Sequence, residues 1–239
     1  MQFEINDVLM KNARSVLTRH QRLYWLIGGA GAGKTRVCSI LSKQFGLPVY
    51  DMDAHIYGEY HARFTAQHPV NRAWSQSPNG LAWLLSMSWQ EFDQFNRAAL
   101  PEYLDLLAED LRSPQYARGV LIDGGVCNPA LLAQVISPAQ IVCLTAPQLS
   151  SEQIWQADGE RGEMKAWIDQ LPEPEEMWRK FLAFDALITA TIFQESRASG
   201  LATCARSATE TAEMFAARVG HALGLQGKSD VNLAGDDSC

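Results

Sequence analysis

Eight consecutive residues constrain this chain more than any others: Gly28-Gly29-Ala30-Gly31-Ala32-Gly33-Lys34-Thr35. They match G-x-x-x-x-G-K-[ST], with Gly28, Gly33, Lys34 and Thr35 in the fixed places. A loop that wraps phosphates with its backbone N–H groups must lack bulky side chains and must adopt unusual dihedrals. Gly29, Ala30, Gly31 and Ala32 keep the remainder of the loop small. The flanks suit such a loop. The apolar run Leu23-Tyr24-Trp25-Leu26-Ile27 reads as a buried strand. Thr35 to Phe45 reads as a helix that stops at Gly46. The start of that helix contributes a positive dipole end, Lys34 a mobile charge for the outer phosphates, and Thr35 a hydroxyl for Mg²⁺. Together they predict a site for ATP with Mg²⁺.

The rest of the chain alternates apolar strands with helical stretches. Asp7 to His20 has helical spacing, with Asn6 or Asp7 as N-cap. Val49-Tyr50 begins a second strand that ends at Asp51-Met52-Asp53. A long insertion rich in Trp, His and Gln follows, then a helix from about Ser88 to Leu111. Gly119 to Asp123, Gln140 to Leu144 and Gly200 to Cys204 read as further strands. Ser150 to about Ser199 reads as helical, with breaks near Asp158-Gly159 and Pro172-Glu173-Pro174. Ser207-x-x-Glu210 reads as a capping box opening a final helix that ends near Leu225. Residues 226–239 are polar and rich in Gly, Asp and Ser, the composition of a disordered tail. This alternation predicts one α/β domain over residues 1–225, its largely parallel sheet covered on both faces. Residues 54–118 form an insertion on the substrate side, and 148–200 supply a lid and helices.

Two acidic constellations fall where ligands bind open α/β sheets, beyond the carboxyl ends of the strands. The first is Asp51-x-Asp53. Carboxylates two apart on a strand end point the same way. One suits Mg²⁺ and its waters; the other suits the proton of an attacking hydroxyl. The other reading of this stretch is an acidic turn that caps the next helix. The second constellation is Asp123-Gly124-Gly125, where an apolar strand ends in a carboxylate placed to meet Mg²⁺. Its glycines allow close approach of a substrate to the backbone.

Strand, glycine loop, helix, a strand ending in D-x-D and an apolar strand followed by paired glycines resemble the P-loop small-metabolite kinases. Shikimate kinase and the gluconate, nucleoside and nucleoside-monophosphate kinases are the relatives of this pattern. The resemblance implies a three-layer P-loop NTPase fold with a five-stranded, mainly parallel sheet, helical insertions and a lid. It implies an ATP-binding phosphotransferase moving the γ-phosphate to a small hydroxyl- or phosphate-bearing metabolite. Within it Asp53 is the substrate-side carboxylate, Asp51 and Asp123 face the metal with Thr35, and Gly124 and Gly125 border the substrate. The lid window is Gln156 to Lys165, with Arg161 and Lys165 as candidates to close over the transfer. Arg206, after the fifth strand, falls beside the adenine. Arg97, on the helix after the insertion, is a candidate to hold an anionic substrate.

Composition trims the alternatives. The net charge is −7 over 239 residues. A general nucleic-acid surface would need the opposite sign. No apolar run is long enough to span a membrane, and the first eleven residues lack a secretory pattern, so a cytoplasmic location is expected. Five scattered cysteines with no C-x-x-C pair predict neither a disulfide framework nor a zinc site. Two readings besides a kinase follow from the same loop: an ATPase used as a switch, and a nucleotide-binding regulatory protein without turnover. A GTPase would carry N-K-x-D, which the chain lacks.

Overall fold

Alternate residues of each central strand enter opposite cores. Leu23, Trp25 and Ile27 of β1 (Leu23–Ile27) pack on one side, and Leu26 on the other. Val120 and Ile122 of β3 (Val120–Asp123) oppose Leu121, and Ile141 and Cys143 of β4 (Ile141–Thr145) oppose Val142 and Leu144. This period-two partition is what a sheet with helices on both faces requires. Each fully buried aliphatic side chain contributes about 1.5–3 kcal/mol.

The computed structural model describes residues 3–156 and 160–225, without the side chains of Glu160 and Arg161. Five strands form one sheet in the order β2-β3-β1-β4-β5, with β2 at Val49–Asp51 and β5 at Ala202–Ala205. Every pairing is parallel, so the sheet is parallel throughout rather than mainly so. Helices α1 (Asp7–Leu17), α2 (Lys34–Phe45), α3 (Met52–Tyr57), α4 (Pro69–Ser75), α5 (Gly80–Leu85) and α6 (Trp89–Asp110) precede β3. After it come α7 (Pro129–Leu132), α8 (Ser151–Trp155), α9 (Glu160–Ile168), α10 (Pro174–Ala198) and α11 (Ala212–Ala222). α2 and α11 cover one face; α1, α6 and α10 lie on the other. The three-layer α/β fold expected from the alternation is the fold observed.

Local chemistry sets most boundaries. Asn6 caps α1 by accepting from the N–H groups of Val8 and Leu9. Gly46 ends α2 in the left-handed conformation. Ser88 and Glu91 form a reciprocal capping box at the start of α6. The expected box at Ser207 and Glu210 does not open the last helix. Thr211 caps α11 instead, accepting from Met214 N–H at 3.2 Å. Glu210 is engaged by the Arg218 guanidinium, at 3.1 and 2.8 Å. The same carboxylate still accepts from the Ser207 N–H at 3.4 Å, but this closes a turn ahead of the helix rather than its first turn. The expected loose tail, 226–239, and the Asp158-Gly159 break lie outside the described residues. No helix among the described residues is long and apolar enough to cross a membrane.

Candidate functional site

The sheet order puts β1 between β3 and β4, so the chain leaves β1 at the point where successive strands depart in opposite directions. Crevices at such points are where open α/β sheets bind ligands. The glycine loop lies there, between β1 and α2. Gly28, Gly31 and Gly33 all have positive φ, at 145°, 73° and 89°. A Cβ on Gly28 would come within 2.2 Å of the Leu144 carbonyl oxygen, and one on Gly29 within 2.2 Å of Thr189 Oγ1. The loop therefore needs glycine for its dihedrals and for its packing against β4 and α10. Lys34 folds back over it, donating to the carbonyls of Gly28 and Gly29 at 2.9 and 3.1 Å.

The acidic groups gather beside this lysine. Asp51 and Asp123 are register partners at the ends of β2 and β3, and Asp123 also pairs in register with Leu26 of β1. Asp123 is 3% exposed, and its Oδ1 has no hydrogen-bond partner. Burial raises its carboxyl above the ordinary range, and Thr35 and Lys34 oppose that rise. A buried, unpartnered carboxylate oxygen beside a threonine hydroxyl is a fit for a hard divalent cation. Among the described residues no group of three or more His, Cys, Asp or Glu forms a self-sufficient metal cage. Mg²⁺ is typically held by one or two carboxylates, waters and substrate phosphates rather than by such a cage.

The two carboxylates of the D-x-D stretch divide differently from the strand-end expectation. The strand stops at Asp51, whose Oδ1 accepts from the Ala54 N–H at 2.9 Å and caps α3. Asp53 is on the first turn of α3, so the two-apart rule for strands does not apply to it. Asp53 nonetheless faces the site, accepting from the Gly125 N–H at 3.0 Å. It is open to solvent from within the crevice, yet the surrounding walls desolvate it and raise its carboxyl. Lys34 and the Gly125 N–H pull in the opposite direction.

Gly124 and Gly125 serve this arrangement more directly than by clearing room for a ligand. Both have φ of 74°. A Cβ on Gly124 would meet Asp53 Oδ2 at 2.2 Å, and one on Gly125 would meet Met52 Cγ at 2.1 Å. The paired glycines thus admit α3 against the end of β3. The turn is pinned from β1 as well: the Gly124 N–H donates to the Leu26 carbonyl at 3.1 Å, and the Trp25 indole N–H donates to the Gly124 carbonyl at 2.8 Å.

A cavity of about 430 Å³ opens from the loop. Gly28, Gly29, Ala30, Lys34, Asp53, Gly124 and Gly125 line one end. The remaining wall is largely apolar, built from α5, α6, α8, α9 and α10, and includes Leu85, Phe92, Trp155, Phe181 and Phe184. Cys127 is part of the wall, its thiol pushed up to about 12 by burial and then by Asp53, so it stays protonated.

Other expected residues fall elsewhere. Arg97 does not line the cavity; its guanidinium donates to Asp93 at 2.7 Å and Glu195 at 2.5 Å. Its charge is committed to carboxylates of its own chain, which corrects the expectation of an anion holder. Lys165 of α9 pairs with Asp169, the residue that follows the helix. Arg161 is on α9, but its side chain lies outside the described residues. Arg206 stands on the far side of the glycine loop, its Nη1 4.0 Å from where a Gly33 Cβ would be. The residues missed by sequence reading are the cavity wall: Trp155, Phe181, Phe184, Asp185 and Ile188. Their only sequence signal is the one-sided spacing of Phe181, Phe184, Asp185, Ile188 and Ile192 along α10.

No protein-family model and no curated protein matches this chain. Among solved structures, TT1252 from Thermus thermophilus is similar with a TM-score of 0.48 and 18% sequence identity, covering 87% of this chain and 100% of that one.

Proposed function

We propose that this protein is an ATP-dependent phosphotransferase that moves the γ-phosphate to the hydroxyl of a small molecule held in the cavity. One observation carries the reading: Lys34 of the glycine loop and Asp53 of α3 line the same cavity. A phosphate-cradling group and a proton acceptor on one wall are what group transfer to an alcohol requires.

In this reading the backbone N–H groups of the loop and the N-terminus of α2 bind the β- and γ-phosphates of ATP. Lys34 exchanges its two carbonyl partners for phosphate oxygens, which are stronger acceptors because they are charged. Thr35, Asp123 and Asp51 hold Mg²⁺, which supplies neutralisation of the phosphate charge. Asp53 accepts the hydroxyl proton as the acceptor oxygen bonds to the γ-phosphorus. The bond from that phosphorus to the β–γ bridging oxygen breaks, and ADP leaves with the electron pair. A carboxyl raised above its ordinary value is a better proton acceptor than a surface aspartate. Its fixed place on α3, held by the Gly125 N–H, lowers the entropic cost of alignment. In the same reading Arg206, whose Nη1 is 4.0 Å from where a Gly33 Cβ would be, flanks the nucleotide, and Arg161 is the lid candidate.

The test is ATP consumption measured with and without a panel of small alcohols, preceded by thermal-shift selection of the binders. The reading expects turnover that depends on one class of acceptor. ATP hydrolysis that is the same with every alcohol and with none would overturn it in favour of an ATPase.

A further inference from the structure

The cavity wall carries a buried carboxyl that the transfer chemistry does not use. Asp185, on α10, is 8% exposed, lines the cavity, and has an Oδ2 with no hydrogen-bond partner. No cation among the described residues forms an ion pair with it. The fold treats another buried carboxylate very differently. Glu102 of α6, 1% exposed, accepts from the Val70 N–H at 2.9 Å, the Asn71 N–H at 2.8 Å and the Asn71 side-chain amide at 2.8 Å. Buried polar groups in folded proteins are normally satisfied, and a missing partner calls for an explanation. Asp185 lines a cavity in which a second wall residue, Trp155, also leaves a buried polar atom, its Nε1, without a partner, so a ligand there can supply what the protein does not.

The surroundings specify that partner. Asp185 shares the cavity wall with the rings of Phe181 and Phe184, which contact Trp155 and Phe92 at centroid distances of 4.8 Å each; the Lys180 ammonium already stands 5.5 Å from the Phe184 ring centroid. Aromatic faces next to a carboxylate attract a cation, the first through the ring quadrupole and the second through charge-assisted hydrogen bonds. The only cationic side chain among the described lining residues is Lys34, at the loop end. An anionic acceptor would meet Asp53 and Asp185 with no second cation to offset them, and Arg97 is already paired. Most of the remaining wall is hydrocarbon, which favours a ligand with an apolar body.

We infer that the acceptor is an apolar amino alcohol, with its ammonium on Asp185, its body against the aromatic wall and its hydroxyl at Asp53. This inference deepens the proposed phosphotransferase reading and rests on it for the role of the hydroxyl. It narrows the hydroxyl- or phosphate-bearing class to cationic alcohols.

The test uses skeleton-matched probes and reads binding by calorimetry without nucleotide. Phenylalaninol and naphthylalaninol carry ammonium and hydroxyl. The corresponding 3-arylpropan-1-ols lack the amine, and the 3-arylpropanoic acids carry the opposite charge. The amino alcohols are expected to bind at least about tenfold tighter than the neutral alcohols, and the acids weakest. Asp185→Asn, nearly isosteric, should erase the amine preference while leaving the neutral alcohols within about twofold. Binding of a fluorescent ATP analogue to the same samples reports on the fold and, independently, on the nucleotide site. Neutral or acidic probes binding as well as the amines would overturn the inference, as would an amine preference that survives Asp185→Asn or a panel in which nothing binds. If the amines bind as expected but the ATP analogue does not, it is the phosphotransferase reading that fails, and the cation site stands alone.

Discussion

The two ends of the cavity are built by opposite means. The loop end is backbone: glycines at Gly28, Gly31 and Gly33, carbonyls held by Lys34, and a turn at Gly124-Gly125 locked by Trp25. The far end is side chain: rings and aliphatic groups from five helices. Backbone sites tolerate almost no substitution, because each glycine occupies a conformation or a contact that a Cβ would forbid. Side-chain sites keep their architecture while their residues vary, so they set which molecule enters. Asp53 joins the two: it is carried by α3, yet it is fixed by the Gly125 N–H.

Substitutions at each end should therefore fail in different ways. The largest expected effect is Lys34→Ala, which removes the mobile charge and leaves the loop carbonyls without their donor. Acceptor-dependent ATP turnover should fall by about 10²–10³-fold while cavity binding of alcohols is unchanged. Equal losses in both would merge the two ends. Next comes Asp53→Asn, with a loss of about 10²-fold in the transfer step and unchanged binding of an ATP analogue. Asp53 must be ionised to accept the proton, and its carboxyl is raised above the ordinary aspartate range. Turnover of the wild type should thus decline on the acid side, through a pKa higher than that of an exposed aspartate. The Asn variant should lack that limb in a pH–rate profile.

Gly124→Ala tests the junction. Its φ of 74° and a contact of 2.2 Å with Asp53 Oδ2 mean that the new methyl must displace Asp53. Transfer should drop by roughly tenfold to 10²-fold, the cost of a misplaced catalytic group. Thermal unfolding should show a loss of about 1–2 kcal/mol from left-handed strain. Normal turnover in this variant would show that Asp53 is not held where its chemistry requires.

The smallest effect on stability is expected at Asp123→Asn, and its sign is opposite to that of the effect on activity. Burial raises the Asp123 carboxyl, so the folded state holds this proton at pH values where the unfolded chain has released it. Stability from this group accordingly falls as pH rises from the unfolded value through the folded one, and the ionised form is destabilising at neutral pH. Removing the charge should raise the melting temperature by about 2–4 °C, roughly 1 kcal/mol for a chain of this size, while Mg²⁺-dependent turnover is lost. A lower melting point would mean that Asp123 is a structural ion partner.

The loop end was legible in the sequence because its constraints are local. Gly28 to Thr35 are contiguous, and their flanks show the strand and helix on either side. The same held for the strands and for α6. The D-x-D stretch was half legible. Its proximity to the loop was evident, but whether Met52 continues a strand or opens a helix depends on the glycine turn after β3, which is 72 residues from Asp53 along the chain. The far end was not legible. Trp155, Phe92 and Phe184 meet only because α6, α8 and α10 converge, and nothing in a linear pattern distinguishes a cavity-facing phenylalanine from a core one. The missing partner of Asp185 is likewise a property of the assembled cavity. Arg97 shows the converse: a suitable residue type whose charge is neutralised by Glu195, 98 positions away.

The claim that both ends form one site is tested most directly by phosphorus NMR of ATP incubated with the protein, Mg²⁺ and an alcohol that occupies the cavity. The account predicts ADP and a phosphate monoester of that alcohol appearing in equal amounts, with both signals lost in Lys34→Ala. ADP accompanied by inorganic phosphate alone, at a rate indifferent to the alcohol, would contradict it.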